Sequence, residues 1–298
     1  MRFLKKTLAA ALLSGAAPAL AAPALPAALP DAEPAMWVVR DADTTIYLFG
    51  TFHALDGKRD WFNDEVKQAF DASQDVVLEI ITPDDPTALR ATMMQRAMDT
   101  SGKTLTSKLS PDGRVRLAAL LKTHDLPPTA LDKFKPFFAS LTVATLQFGK
   151  MGMGAQHGAE AVIKKAVAGT SKKLGAVETV NEQLLLLDSL SEAEQLKMLE
   201  SALKQGGSMA TEIQAMLNAW NNGDAVTVAK MIQQSDDESP AFFKLMFTDR
   251  NARWVKWVDR RLEKPGTVFM AVGAGHLAGD RSVIAMLKKE GHKVTRVQ

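Results

Sequence analysis

Apolar residues recur along this chain with two periods, and the change from one to the other divides it. Trp37-Val38-Val39-Arg40, the acidic Asp41-Ala42-Asp43, and then 44–49 predict a β-hairpin, with β-branched and aromatic residues flanking a polar turn. Gly50-Thr51-Phe52-His53 breaks its second strand. Asn63 is placed to cap a helix running through Phe70, with Val66, Ala69 and Phe70 on one face. Val76-Val77-Leu78-Glu79-Ile80-Ile81 is a continuous run of strand length, as expected of a strand covered on both sides.

The period then becomes helical. Ser110-Pro111 opens a helix to about Lys122, because proline suits the first helical position. Helices are predicted over 134–148 and 159–167, followed by a strand at Leu174-Gly175-Ala176-Val177-Glu178. Thr179 with Glu182, and Ser191 with Glu194, have capping-box spacing and open two further helices. Helices at 211–220, 225–233 and 241–262 follow, then strand 267–272, helix 281–289 and strand 293–297. Strands early and late with helices between predict a mixed α/β (α+β) fold. Its central mixed sheet is formed by the early and late parts of the chain, with a large helical lobe over about 84–265 inside a single domain, 35–298.

Composition changes the picture at the N-terminus. Arg2, Lys5 and Lys6 precede a run of mostly Ala and Leu, and Ala19-Leu20-Ala21 has the small residues a signal peptidase reads. Residues 1–21 are therefore expected to be a cleaved signal peptide, leaving Ala22 as the N-terminus of a periplasmic or secreted protein. The run is too short to span a membrane. Residues 22–34, rich in Ala and Pro, are expected to be an unstructured lead-in. Removing the three basic residues of the signal takes the chain from +2 to −1, so no basic footprint for nucleic acid is expected. With no cysteine, disulfides, thiolate ligands and a cysteine nucleophile are excluded.

The candidate chemistry lies where strands end. Gly50-Thr51-Phe52-His53 and Gly273-Ala274-Gly275-His276 each set a histidine three residues after the glycine that closes an apolar strand. Two of only five histidines occupy matching places. Glu79 falls in an apolar run, where an unpartnered charge is costly, so it needs a metal, a cation or a hydrogen-bond network. Glu178 ends its strand just before a capped helix. These four residues point to the edge where open α/β sheets bind ligands. Imidazoles with carboxylates suit a divalent ion such as zinc, manganese or cobalt, with His53, His276 and Glu79 as its ligands. Such an ion would activate a water for hydrolysis. Plainer roles compete: Glu79 as half of a buried bridge to an arginine, Glu178 and Glu160 as acids near helix N-termini, and Arg250 as an exposed arginine on an amphipathic helix. Arg250 could instead clamp a carboxylate or a developing oxyanion. His124, His157 and His292 lie among polar or loop residues and read as solvated.

Five segments carry a family resemblance. Tyr47-Leu48-Phe49-Gly50-Thr51-Phe52-His53 resembles the Leu-Phe-Gly-Thr-x-His signature of the TraB/GumN family, within the TIKI-like superfamily. Leu78-Glu79, Gly175-Ala176-Val177-Glu178-Thr179, Thr248-Asp249-Arg250-Asn251 and Val272-Gly273-Ala274-Gly275-His276-Leu277 are similar to its later motifs, in its order. The resemblance covers 37–297. It implies a metal-dependent hydrolase, such as a peptidase, with His53 and His276 as metal ligands or catalytic imidazoles. It further implies Glu79 and Glu178 as ligand or general base and Arg250 as oxyanion stabiliser. The family also places an acid, usually Asp, where Gly158-Ala159-Glu160 offers Glu160. The other function it implies is a non-catalytic binding protein for a peptide, a metal or haem.

Overall fold

The computed structural model describes residues 28–85, 87–204 and 209–298. The signal segment 1–21 lies outside the described residues, as does 22–27 of the lead-in. The end of that lead-in is not loose. The Ala32 N–H bonds to the Asp60 carbonyl at 2.9 Å and the Glu33 N–H to that of Asn221 at 2.7 Å, and Ala32 is buried.

Six strands form one mixed sheet: β1 (Met36–Arg40), β2 (Thr44–Thr51), β3 (Asp75–Leu78), β4 (Lys173–Ala176), β5 (Gly266–Gly273) and β6 (Val294–Arg296), in the order β4-β3-β5-β2-β1-β6. β4, β3, β5 and β2 run parallel, whereas β1 is antiparallel to both its neighbours. The hairpin expected from the sequence is present. The Asp41 carboxylate accepts the Asp43 and Thr44 N–H groups at its turn, at 3.1 and 2.8 Å. The late strand β5 therefore enters between the early strands β3 and β2, while the last strand, β6, pairs with β1 at the edge of the sheet.

Alternation along the strands explains the layers. Ile46 and Leu48 of β2 and Val268, Met270 and Val272 of β5 face one way. There they pack on Trp254, Val255 and Val258 of α12 (Asp249–Leu262) and Leu287 of α13 (Val283–Lys289). Phe49, Phe269 and Ala271 face the other way, against Val66 and Phe70 of α1 (Asp64–Ala72), Ile163 of α6 (Ala159–Val167) and Trp220 of α9 (Met209–Asn221). Burial on both faces is what a parallel sheet requires. A separate apolar core joins α3 (Leu105–Lys108), α4 (Pro111–Thr123), α5 (Pro136–Lys150) and α8 (Glu192–Lys204) through Leu105, Leu117, Leu121, Val143 and Leu199.

Several boundaries differ from expectation. β2 runs through Gly50 and Thr51, which pair with Val272 and Gly273, so His53 stands two residues past the strand. β3 stops at Leu78, placing Glu79 just beyond it. Asn63 makes no capping bond: its amide nitrogen donates to Asp31 Oδ1 at 2.6 Å, and its own Oδ1, the atom that would accept from the helix, has no partner. Helix α2 (Thr87–Ala97) was not anticipated; its apolar residues are spread round the helix rather than gathered on one face. The single helix expected over 241–262 is three pieces: α11 (Pro240–Phe243), a π-helical turn (Lys244–Thr248) and α12. The remaining helix, α10 (Ala225–Glu238), runs five residues further than expected.

The capping box at Thr179 and Glu182 is complete and starts α7 (Val180–Ser189). At α8 only half forms: Ser191 Oγ accepts the Glu194 N–H at 3.2 Å, while the Glu194 carboxylate takes the Ser239 hydroxyl at 2.7 Å. Thr179→Ala is expected to destabilise the fold by about 1 kcal/mol, seen as a lower urea midpoint with an unchanged m-value.

Candidate active site

The carboxyl ends of the four parallel strands carry two layers of functional side chains, one buried and one open. The buried layer centres on Arg250, in the first turn of α12 and 2% exposed. Its Nε donates to Glu178 at 2.9 and 3.1 Å. Nη2 donates to Glu79 Oε1 at 2.5 Å and lies 2.8 Å from Glu178 Oε2. Nη1 donates to the Met246 carbonyl at 2.9 Å and to His276 Nε2 at 3.1 Å. Four of the five guanidinium N–H groups thus have a hydrogen-bond acceptor, and Nη2 also lies at ion-pair distance from Glu178. Glu178 further accepts Arg253 Nη2 at 2.9 Å and the Trp254 indole N–H at 3.1 Å.

The arginine is therefore not the exposed residue that a plain amphipathic helix would carry. The reading of Glu79 as half of a buried bridge to an arginine describes its Oε1 well. Arg250, buried and no part of the cleft wall, is also not placed to meet an oxyanion in the cleft. Glu178, enclosed by two arginines and an indole, is not placed to act as a general base on a ligand in the cleft.

The open layer faces a cleft of about 230 Å³, lined by His53, Glu79, Glu160 and Gln183 together with Leu78, Ile80, Ala155 and Ala161. His53 is 64% exposed at its side chain and bonds through Nδ1 to Glu160 Oε1 at 2.7 Å. The same oxygen accepts the Thr51 hydroxyl. Glu160 is delivered by the start of α6, which docks on the loop after β2 through Ala159 N–H to the Phe52 carbonyl at 3.0 Å. Glu79 presents Oε2, which accepts the Gly273 N–H at 3.1 Å.

The two Gly-x-x-His glycines are explained by close approach. A Cβ at Gly50 would lie 3.1 Å from Ala274 Cα. One at Gly273 would lie 3.1 Å from His53 Nε2 and 3.4 Å from Glu79 Oε2, so those two atoms converge on a space that only glycine leaves empty.

His276 does not join them. It is 4% exposed and no part of the cleft wall, with Nδ1 on Asn251 Oδ1 at 2.6 Å and Nε2 on Arg250. Among the described residues, His53, His276 and Glu79 do not form a trio of closely grouped ligand atoms. Two such trios occur elsewhere, Asp259/Glu290/His292 and Asp31/Glu33/Asp64. His292 is paired to Asp259 at 2.8 Å and His124 has a buried, unbonded Nε2, so neither is simply solvated.

The charges follow from this packing. Burial alone would raise Glu79. The positive charge facing it, from the His276 and His53 rings when protonated and from hydrogen-bonded Arg250, outweighs burial and holds the carboxyl well below the usual range. Burial, with Arg250 beside the ring, pushes His276 down to about 3, leaving Arg250 as the permanent cation on Glu79. Desolvation opposes protonation of His53, but the charge and hydrogen bond of Glu160, with Glu79 behind, raise it to about 9. Glu160 is lowered in turn: burial resists, and His53 and Thr51 prevail.

Gln183 was not singled out in the sequence. It stands in the first turns of α7 and donates to Glu79 Oε1 at 2.7 Å and Glu178 Oε2 at 3.4 Å, tying the two layers together. Its place just inside a capped helix after a strand end is the only signal it offered. Asn251 was likewise visible only as the neighbour of Arg250.

Side chains gathered beyond the carboxyl ends of parallel strands make this a mixed α/β protein with its candidate site at the edge where such sheets bind ligands. The chain belongs to the TraB/PrgY/gumN family, whose sequence model matches residues 35–296. An uncharacterized protein of Treponema pallidum (strain Nichols) is 22% identical over 285 residues, 89% of this chain and 83% of that one. Metalloprotease TIKI1 of Danio rerio is 25% identical over 309 residues, covering 87% of this chain and 62% of the relative. Metalloprotease TIKI homolog of Nematostella vectensis is 25% identical over 318 residues, 88% of this chain and 67% of the relative. No solved structure matches the chain.

Two outcomes test this electrostatic arrangement. Arg250→Leu strands Glu79 and Glu178 in the interior and is expected to cost about 3–5 kcal/mol, measured by urea unfolding. Glu160→Gln is expected to move the His53 titration from about 9 toward 6.5, followed by NMR in metal-free protein. Native His53 holds its proton more tightly than the unfolded chain does. Its contribution to stability is therefore complete below pH 6.5 and lost as pH rises through about 9.

Proposed function

We propose that this protein is a metal-dependent hydrolase acting on peptide bonds, with His53 and Glu79 as its metal-facing residues. The observation that carries the reading is the pair of atoms His53 Nε2 and Glu79 Oε2 converging over Gly273. The donor set fits a divalent ion. A metal-bound histidine characteristically donates its other ring N–H to a carboxylate, and Glu160 provides that partner for His53 Nδ1. The metalloprotease relatives support the same reaction class. Manganese, cobalt and zinc all accept imidazole and carboxylate together.

A divalent ion held there supplies a Lewis acid that lowers the pKa of water and polarises a carbonyl. The chain's own groups do the rest. Glu160 fixes the ring so that Nε2 points into the cleft. Gln183 and Arg250 hold Glu79 Oε1, leaving Oε2 to face His53. Leu78, Ile80 and Ala161 give the cleft an apolar wall suited to a substrate side chain. Its volume is slightly below that of ordinary small-ligand pockets, which suits a short stretch of extended peptide. The reaction belongs outside the cytoplasm if residues 1–21 are removed on export, which N-terminal sequencing of the protein from the cell envelope checks.

Protein purified without chelator is expected to carry a divalent ion, measured by plasma mass spectrometry, and to cleave quenched-fluorescence peptides. Gly273→Ala is expected to lose both while unfolding near the wild-type midpoint, since a φ of −49° suits any residue and the added methyl presses on the exposed His53 ring rather than on backbone. Wild-type protein that carries no ion and takes up no manganese, cobalt or zinc would instead support a non-catalytic peptide- or haem-binding protein. Uptake is also expected to release a proton and to strengthen as pH rises toward 9, because the ion must displace the proton on His53. Calorimetry in buffers of different ionisation enthalpy reads that proton.

A further inference from the structure

We infer that the second Gly-x-x-His histidine, His276, is not a metal ligand but a positioning residue, the buried acceptor that locks Arg250 onto Glu79. A chain of hydrogen bonds fixes its state without reference to any ion. The Arg281 carbonyl can only accept, so the Asn251 amide nitrogen, 2.7 Å away, is the donor there and Oδ1 points at His276. Oδ1 can only accept, so His276 Nδ1, at 2.6 Å, carries the proton. Arg250 Nη1 can only donate, so Nε2, at 3.1 Å, is the acceptor. The ring is therefore neutral, of one tautomer, with both nitrogens used.

Packing holds it there. The Trp254 ring lies 4.4 Å from the imidazole centroid and Phe247 lies 4.9 Å away on a tilted plane. Phe247 belongs to the π-helical turn whose Met246 carbonyl takes the other Nη1 hydrogen, and such turns gather at functional sites. The same arginine carries Nη2 to Glu79 Oε1. His276 thus acts on the cleft through Arg250. It orients the guanidinium, which fixes which carboxylate oxygen of Glu79 is left for the cleft. The paired motif resolves into two different jobs, an open imidazole at His53 and a closed one at His276.

The metal-binding arm of the test rests on the proposed metal site; the tautomer arm does not. In metal-free wild-type protein, imidazole 15N shifts are expected to show His276 as the Nδ1–H tautomer. Zinc titration is expected to move the His53 Nε2 resonance and leave that of His276 nearly in place. Cobalt supplies the rescue test. His276→Gln, whose amide oxygen can replace Nε2 as acceptor, is expected to keep cobalt affinity and the visible cobalt spectrum close to wild type. His276→Leu is expected to weaken cobalt about 10- to 100-fold, the usual effect of losing a residue that orients a ligand. His53→Ala should abolish binding.

A His276 Nε2–H tautomer, a large zinc-induced shift at His276 Nε2, or equal loss of cobalt in His276→Gln and His53→Ala would overturn the inference. Should wild-type protein bind no metal, the proposed function falls and the tautomer alone decides, standing or failing on the Nδ1–H signal.

Discussion

A single buried guanidinium ties the working edge of this protein together. Arg250 reaches the residues that follow three adjacent strands: Glu79 after β3, Glu178 after β4 and His276 after β5. Charges taken out of water are stable only when their hydrogen-bonding capacity is filled. Here the carboxylates, the neutral imidazole and the Met246 carbonyl take four of the guanidinium's five N–H groups. Two carboxylates can then sit at the edge of an apolar sheet, and the strand ends are held at fixed separations. Trp254 adds an indole N–H to Glu178 and a ring face to the guanidinium, whose Cζ lies 4.9 Å from the ring centroid.

What the buried layer fixes, the open layer uses. Glu79 belongs to both, with Oε1 committed to Arg250 and Gln183, and Oε2 turned toward His53 and the Gly273 N–H. A carboxylate held on one oxygen by a cation stays ionised and keeps the other available. His53 is held differently, by a carboxylate that itself rests on Thr51 and the first turn of α6. Gly273 keeps open the space between them. The edge thus presents one preorganised carboxylate and one exposed, oriented imidazole, the pair on which the proposed function rests.

The sheet was legible because its strands obey simple rules: two-residue alternation in the hairpin, and apolar runs where helices cover both faces. The placing of His53, Glu79, Glu178 and His276 at or near strand ends followed from the same pattern, although Glu79 was expected within its strand and stands just past it. What was not legible is which of them face each other. Two identical Gly-x-x-His spacings suggest equal roles, yet one ring meets solvent and the other meets Arg250. That difference is decided by a helix contributed from residue 249 onward and by a π-helical turn that no apolar period announces. Gln183 was hidden for a related reason: a polar residue in a first helical turn is ordinary until a strand end lies opposite it. Helix α2, with no amphipathic stripe, escaped notice entirely.

The most direct measurement is anomalous diffraction from crystals grown with cobalt. One site is predicted, coordinated by His53 Nε2 and Glu79 Oε2, with Arg250 still bonded to His276. A cobalt ion on His276 Nε2, with the guanidinium displaced, would contradict the account. So would crystals that take up no cobalt at the cleft at all.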